Sequence, residues 1–321
     1  MPRISSISRQ ITSIDAVRPS IPDALYALMA QIGPRWAEDI SGHIRLMIEE
    51  FSKIHALCPA EYARVSKNIA YGGHPRQKLD LFLPPSAREA LPLIIFVHGG
   101  AFVEGDRNRS PQIYSNVLHY FASRGIAGIN MGYRLAPEHR YPAASEDIGS
   151  VVRWAQDHAI EFGLDTRRIF LMGHSAGAAH AGSYCYDRRI HGPAGPSLAG
   201  LVVVSGRVRA DISGENPNAK KVAAYYGTDA AFLDASSPVS HVDAASVPTF
   251  IAMAQFENPL IDVHCMELAH KLAAAKRRAP PVLWLRGHNH TSSIAHINTA
   301  EDLLGQSILG FIRQTSGELL D

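Results

Sequence analysis

The run Arg168-Ile169-Phe170-Leu171-Met172-Gly173-His174-Ser175-Ala176-Gly177, continued by Ala178-Ala179-His180-Ala181-Gly182, decides how this chain is read. Its first half is a short apolar run of the kind that forms a buried strand, and its second half is built of small residues that suit a closely packed helix. Between them lies the pattern Gly-x-Ser-x-Gly, at a junction where the chain must pass from strand to helix through a sharp, strained turn. Gly173 and Gly177 stand two residues either side of Ser175, where a side chain would collide as the backbone doubles back. The helix start behind Ser175 offers unpaired N–H groups and a partial positive charge, which favour an anion forming at that serine.

Working outward, apolar runs that read as strands occur at Leu79–Leu83, Leu93–Val97, Ile126–Asn130, Leu201–Val204, Thr249–Met253 and Val282–Leu285, besides Ile169–Met172. Several are continuously apolar and not alternating, as expected when helices cover both faces of a sheet. Amphipathic stretches separate them, at about 112–124, 145–162, 176–188, 262–278 and 301–314; in the clearest, Ile148, Val151, Val152, Ala155 and Ala159 share one face and Gly163 is the stop signal. The alternation predicts an α/β fold with an open, mostly parallel, doubly wound sheet flanked by helices, spanning 76–321. Residues 1–75 read as a helical cap region, with helices at Pro22–Ile32 and Ile40–Ile54. The polar stretch 207–247 interrupts the alternation and is expected to be an insertion contributing to a cap or pocket.

Composition narrows the chemistry. The chain has 321 residues, 31 Lys plus Arg against 30 Asp plus Glu, and 46% hydrophobic residues. That apolar content supports a packed core, and the even charge without a basic run argues against a nucleic-acid partner. Three widely spaced cysteines, Cys58, Cys185 and Cys265, argue against a disulfide framework or thiolate zinc site and for a reducing compartment. The opening MPRISSISRQITSID has no apolar core of signal-peptide length, and no apolar run approaches a membrane span. A soluble, cytoplasmic protein with no membrane partner is expected.

A second motif follows the strand Leu93–Val97: His98-Gly99-Gly100-Ala101-Phe102. Successive glycines let a backbone turn its N–H groups toward a reacting carbonyl oxygen. Taken with Tyr133-Arg134-Leu135-Ala136-Pro137-Glu138-His139-Arg140-Tyr141-Pro142 and its continuation to Asp147, and with the Ser175 pentapeptide, this segment resembles the hormone-sensitive-lipase-type carboxylesterases of the α/β-hydrolase superfamily. The resemblance implies an α/β-hydrolase fold and a serine hydrolase needing no metal or organic cofactor. It also implies an oxyanion hole formed by the backbone N–H groups of Gly100, Ala101 and Ala176. Where that family has a third glycine after the histidine, this chain has Ala101.

A serine hydroxyl needs a base, and the base needs an orienting carboxylate, in the chain order Ser, acid, His. After Thr249–Met253 come two acids. Glu257 lies within a few residues of the strand end, where the active groups of open α/β sheets gather, whereas Asp262 suits the first turn of the following helix. After Val282–Leu285 both His288 and His290 are eligible as base, and in related hydrolases the histidine sits toward the far end of this loop, which favours His290. A metal reading of His288, His290 and His296 lacks completing ligands. His98 and His174 are read as loop-bonding residues, Arg134, Glu138 and Asp147 as one polar network, and Asp80 as structural.

The expected activity is hydrolysis of a small to medium neutral ester through a Ser175–His290–Glu257 triad and an acyl-enzyme. The same machinery could serve an arylformamidase-like or peptidase-like amide hydrolase. A third reading is a silent receptor on a hydrolase scaffold, which would lack the serine or histidine. A homodimer is left open by the sequence.

Overall fold

The computed structural model describes residues 18–58, 63–86 and 90–317. The N-terminal stretch read for a signal peptide lies outside the described residues. Helices α1 (Asp23–Ile32) and α2 (Ile40–His55) precede β1 (Arg64–Ala70), β2 (Lys78–Leu83) and β3 (Leu91–Val97). Then come α3 (Ser115–Ala122), β4 (Ala127–Met131), α4 (Ala143–Asp157), α5 (Ala159–Phe162), β5 (Leu164–His174), α6 (Ala176–Tyr186), α7 (Arg188–His191) and β6 (Gly200–Val204). The chain continues through α8 (Ala219–Tyr226), α9 (Ala230–Ser236), β7 (Thr249–Phe256), α10 (Ile261–Lys276), β8 (Val282–Asn289), α11 (Ser292–Ala295) and α12 (Leu303–Thr315). The strands form one sheet in the order β1-β2-β4-β3-β5-β6-β7-β8, with β1 and β2 antiparallel to their neighbours and the rest parallel. Gly163 ends α5 in the left-handed conformation, as its position in the sequence suggests.

Alternate residues of the central strands feed two cores. Leu93, Ile95, Val97, Leu171, Leu201 and Val203 face one that α4, α6 and α10 cover. Ile94, Phe96, Phe170, Met172, Val202 and Val204 face the other, closed by α3, α12 and the N-terminal helices through Leu25, Met29, Trp36, Met47 and Phe51. Each such fully buried side chain contributes about 1.5–3 kcal/mol through its removal from water. No helix among the described residues is long and apolar enough to cross a membrane.

One expectation is corrected. Residues 1–75 are not purely helical, because Arg64–Ala70 is an edge strand paired with β2. A register shift between Ser66 and Ile69, with Asn68 at φ +62°, breaks the alternation that would have marked it. Stretch 207–247 holds α8 and α9, and buries Val208, Val222, Tyr225, Tyr226, Leu233 and Val239 in the first core.

The strand order turns at β3 and β5. The chain leaves β3 on one side to form β4 and returns through α4 to form β5 on the other. The carboxyl ends of β3 and β5 therefore open a crevice at the place where open α/β sheets bind ligands. The His98–Phe102 loop and Ser175 both lie there.

Candidate active site

Ser175 sits between β5 and α6 at φ +57° and ψ −121°, a conformation that costs a residue with a side chain about 1–3 kcal/mol. Three backbone hydrogen bonds hold it: its N–H donates to the Val204 carbonyl (3.1 Å), and its own carbonyl accepts from Ala178 (3.1 Å) and Arg207 (3.2 Å). A Cβ on Gly177 would drive into the carbonyl oxygen of Val97, and one on Gly173 into the backbone of Ala178, so both positions need glycine. The sheet and helix thus press against each other and push the serine outward.

The base loop follows β8. His290 donates its backbone N–H to the Phe256 carbonyl (2.9 Å), which ties it to the end of β7. Its Nδ1 lies 2.6 Å from a Glu257 carboxylate oxygen and its Nε2 lies 3.1 Å from Ser175 Oγ. A carboxylate only accepts, so Nδ1 carries the proton and Nε2 is left to accept from the serine hydroxyl. The second Glu257 oxygen accepts the Ala254 N–H at 2.7 Å, and the Glu257 and His290 side chains are almost wholly buried. Asp262 is elsewhere, exposed in the first turn of α10.

His288 points away from this chain. Its Nε2 meets Glu301 at 2.9 Å and its Nδ1 meets Ser292 Oγ at 3.1 Å. Burial alone would raise the Glu301 carboxyl, but the hydrogen bond and charge of His288 carry it down to about 2. His296 packs its ring 4.4 Å from that of His288 and bonds the Ser292 carbonyl through Nδ1. No group of three His, Cys, Asp or Glu among the described residues is arranged to hold a metal.

The two histidines of the motifs hold loops. His174 donates from Nε2 to the His290 carbonyl at 3.0 Å, and burial, reinforced by the nearby His290, depresses its pKa to about 3. His98 bonds Gly99 O through Nδ1 and stacks on Tyr133, with its pKa lowered by burial to about 4. Both rings stay neutral across the physiological range. Asp80 pairs with Arg107 at 3.2 Å in the interior. The network around Arg134 contains Asp147 (2.8 Å) and Glu146 (3.4 Å), whereas Glu138 is exposed; one turn into α4 is what brings Glu146 within reach.

Gly100, Ala101 and Phe102 run at φ +147°, +48° and +74°, curling the loop beneath the serine. A Cβ on Gly100 would strike the Glu104 carbonyl, so glycine is required there. Ala101 adopts the left-handed conformation, at about 1–2 kcal/mol of strain. Ala176 is the first residue of α6, where a backbone N–H has no partner within the helix.

Ser175, His290, Gly99, Gly100 and Ala101 open on a cleft with about 100 Å³ of free room. Ile40, Ile44 and Ile48 of α2 line it with Ile113 and Ile294, as do Asn218 and Lys221 of the 207–247 stretch. Sequence reading missed Ile40, Ile44, Ile48 and Ile113 as lining residues; the first three belong to an apolar stripe on α2 that equally suits a core face, and Ile113, in the segment before α3, carries no such signal.

Comparisons with known proteins agree with this architecture. A family model described as BD-FAE matches residues 79–188. Carboxylesterase NlhH of Mycobacterium tuberculosis is 32% identical over 111 residues, 35% of this chain and 34% of that protein. Esterase LipI of the same species is 36% identical over 103 residues, 32% of this chain and 31% of that protein. The chain thus matches about a third of the length of these curated relatives. Among solved structures, esterase B from Lactobacillus rhamnosis superimposes with a TM-score of 0.69 at 20% identity, covering 91% of this chain and 97% of that one. Esterase LipW from Mycobacterium marinum gives 0.64 at 18% identity, covering 94% and 97%. The chain has the α/β-hydrolase fold, and through the segment bearing its glycine loop and serine elbow it resembles carboxylesterases of the hormone-sensitive-lipase type.

Proposed function

We propose that the protein is a serine carboxylesterase acting through Ser175, His290 and Glu257. The observation that carries this reading is the continuous hydrogen-bonded run Glu257–His290–Ser175, with the serine on a strained elbow facing a cleft. Ser175 Oγ attacks the ester carbonyl as its proton passes to His290 Nε2, and Glu257 stabilises the imidazolium. The N–H groups of Gly100, Ala101 and Ala176 hold the oxyanion, a contribution of roughly 3 kcal/mol for each donor. The tetrahedral intermediate collapses, the alcohol leaves with the proton from His290, and the acyl group stays on Ser175. Water then attacks with His290 again as base, releasing the acid. NlhH and LipI, named as esterases, support the reaction class.

The N-terminal helices α1 and α2 act as the cap in this reading, with Ile40, Ile44 and Ile48 of α2 lining the acyl site together with Asn218 and Lys221 of the 207–247 stretch. The small, isoleucine-lined cleft favours a short acyl chain on a neutral ester. Three free cysteines, two of them buried, support a cytoplasmic location.

The test is a panel of p-nitrophenyl esters from acetate to palmitate. Chains of two to six carbons are expected to give kcat/KM at least about ten-fold above those of twelve or more, one methylene being worth roughly ten-fold or more in a shaped pocket. A preference for twelve carbons or longer would contradict the assigned acyl wall.

The acid is tested by Glu257→Gln and Asp262→Asn. Glutamine keeps the shape but does not stabilise the imidazolium, so kcat is expected to fall by about 10⁴. Asp262→Asn, exposed in the first turn of α10, should leave kcat within about two-fold; the reverse pattern would transfer the acid role to Asp262.

A further inference from the structure

Glu257 lies on a short loop, Glu257–Leu260, between β7 and α10. Two residues remote in sequence hydrogen-bond that loop. From the N-terminal 3₁₀ turn Gly33–Glu38, the buried indole N–H of Trp36 donates to Asn258 Oδ1 at 2.7 Å. From the segment after β6, Arg207 donates from Nη2 to the Pro259 carbonyl at 3.1 Å, while its backbone N–H bonds the carbonyl of Ser175.

Arg207 is an expensive residue to place here. It is only 3% exposed, and its Nη1 is buried with no hydrogen-bond partner. A buried guanidinium left partly unsatisfied needs a compensating interaction. Asp211 on its own segment and Glu257 are the carboxylates that favour its charged form. Burial pulls the Arg207 guanidinium down to about 10, which leaves it charged at neutral pH. Around the same loop, α10 contributes His264, whose pKa burial and Arg207 lower to about 4, and the exposed Asp262. The sheet side contributes His174, neutral as described, and α1–α2 contributes the uncharged Trp36. Arg207 is therefore a buried cation held on the acid loop through the Pro259 carbonyl.

We propose that Arg207 and Trp36 are positioning residues that clamp the acid loop. This rests on Glu257 being the acid. The clamp ties the acid loop to the cap through Trp36 and to the serine elbow through the Arg207 backbone, so the two ends of the hydrogen-bonded run share one support.

Losing either grip loosens Glu257 against His290, which lowers kcat and leaves substrate binding in the cleft alone. The experiment measures kcat and KM for p-nitrophenyl butyrate hydrolysis by wild type, Arg207→Gln, Arg207→Lys and Trp36→Phe. Arg207→Gln is expected to lower kcat about ten-fold with KM within two-fold, and Arg207→Lys, which keeps a charged donor for the Pro259 carbonyl, to recover most of that loss. Trp36→Phe keeps the ring and loses one hydrogen bond, so kcat should fall about ten-fold with KM within two-fold. A folded Arg207→Gln variant with unchanged kcat overturns the proposal. If that variant does not fold, Trp36→Phe decides alone, and an unchanged kcat overturns the clamp. Wild-type turnover that depends on Ser175 and Glu257, together with either of these results, leaves the esterase reading standing and removes only the clamp. Absence of such turnover removes both.

Discussion

Replacing Ser175 by alanine is expected to lower kcat for p-nitrophenyl butyrate by about five orders of magnitude while the protein stays folded. The size follows from removing the nucleophile of a unit whose members act together, leaving only the contribution of binding and oxyanion donors. Folding should survive because the backbone bonds to Val204, Ala178 and Arg207 hold the elbow, and the hydroxyl bonds His290. Alanine also keeps a β-carbon, so the strain at φ +57° is unchanged. The check is steady-state release of p-nitrophenol beside a circular dichroism melt. Loss of activity with a Tm within about two degrees of wild type is the expected pair.

His290→Ala is expected to cost nearly as much, because a serine without a base is a poor nucleophile at neutral pH. The informative control is His288→Ala, two residues away on the same loop. His288 bonds Glu301 and Ser292, and Glu301 in turn accepts from Tyr26 of α1. Losing it leaves Glu301 half-buried without its imidazole, which costs about 1–3 kcal/mol of stability. A lower Tm with kcat within a few-fold is therefore expected for His288→Ala, and a catalytic collapse with little change in Tm for His290→Ala. Equal collapses in kcat would leave the base unassigned between them.

Much of this was legible before any coordinates, for physical reasons that differ by region. The central strands announce themselves because both of their faces are buried, so Leu93–Val97 and Leu201–Val204 are apolar without interruption. The serine elbow is legible because its geometry tolerates few residue types, and Gly173 and Gly177 are steric requirements. Strand β1 was not legible: it lies at the sheet edge, exposed on most of its length, and a bulge at Asn68 destroys its period. Glu138 was grouped with Arg134 by nearness in sequence, whereas the fold of α4 substitutes Glu146. Separating His288 from His290 needed the turn after Asn289, since residues two apart on a strand face the same way. Arg207 and Trp36 carried no sequence signal at all, because their partners, Pro259 and Asn258, are brought to them only by the sheet order.

The central claim is that Ser175 becomes acylated. It is tested most directly by treating the protein with a p-nitrophenyl alkylphosphonate, measuring p-nitrophenol released per chain, and locating the adduct by peptide mass spectrometry. Release of one equivalent with the phosphonyl group on the peptide containing Ser175, and no adduct in Ser175→Ala, is the predicted result. A stoichiometric adduct on another residue, or labelling that persists in Ser175→Ala, would contradict it.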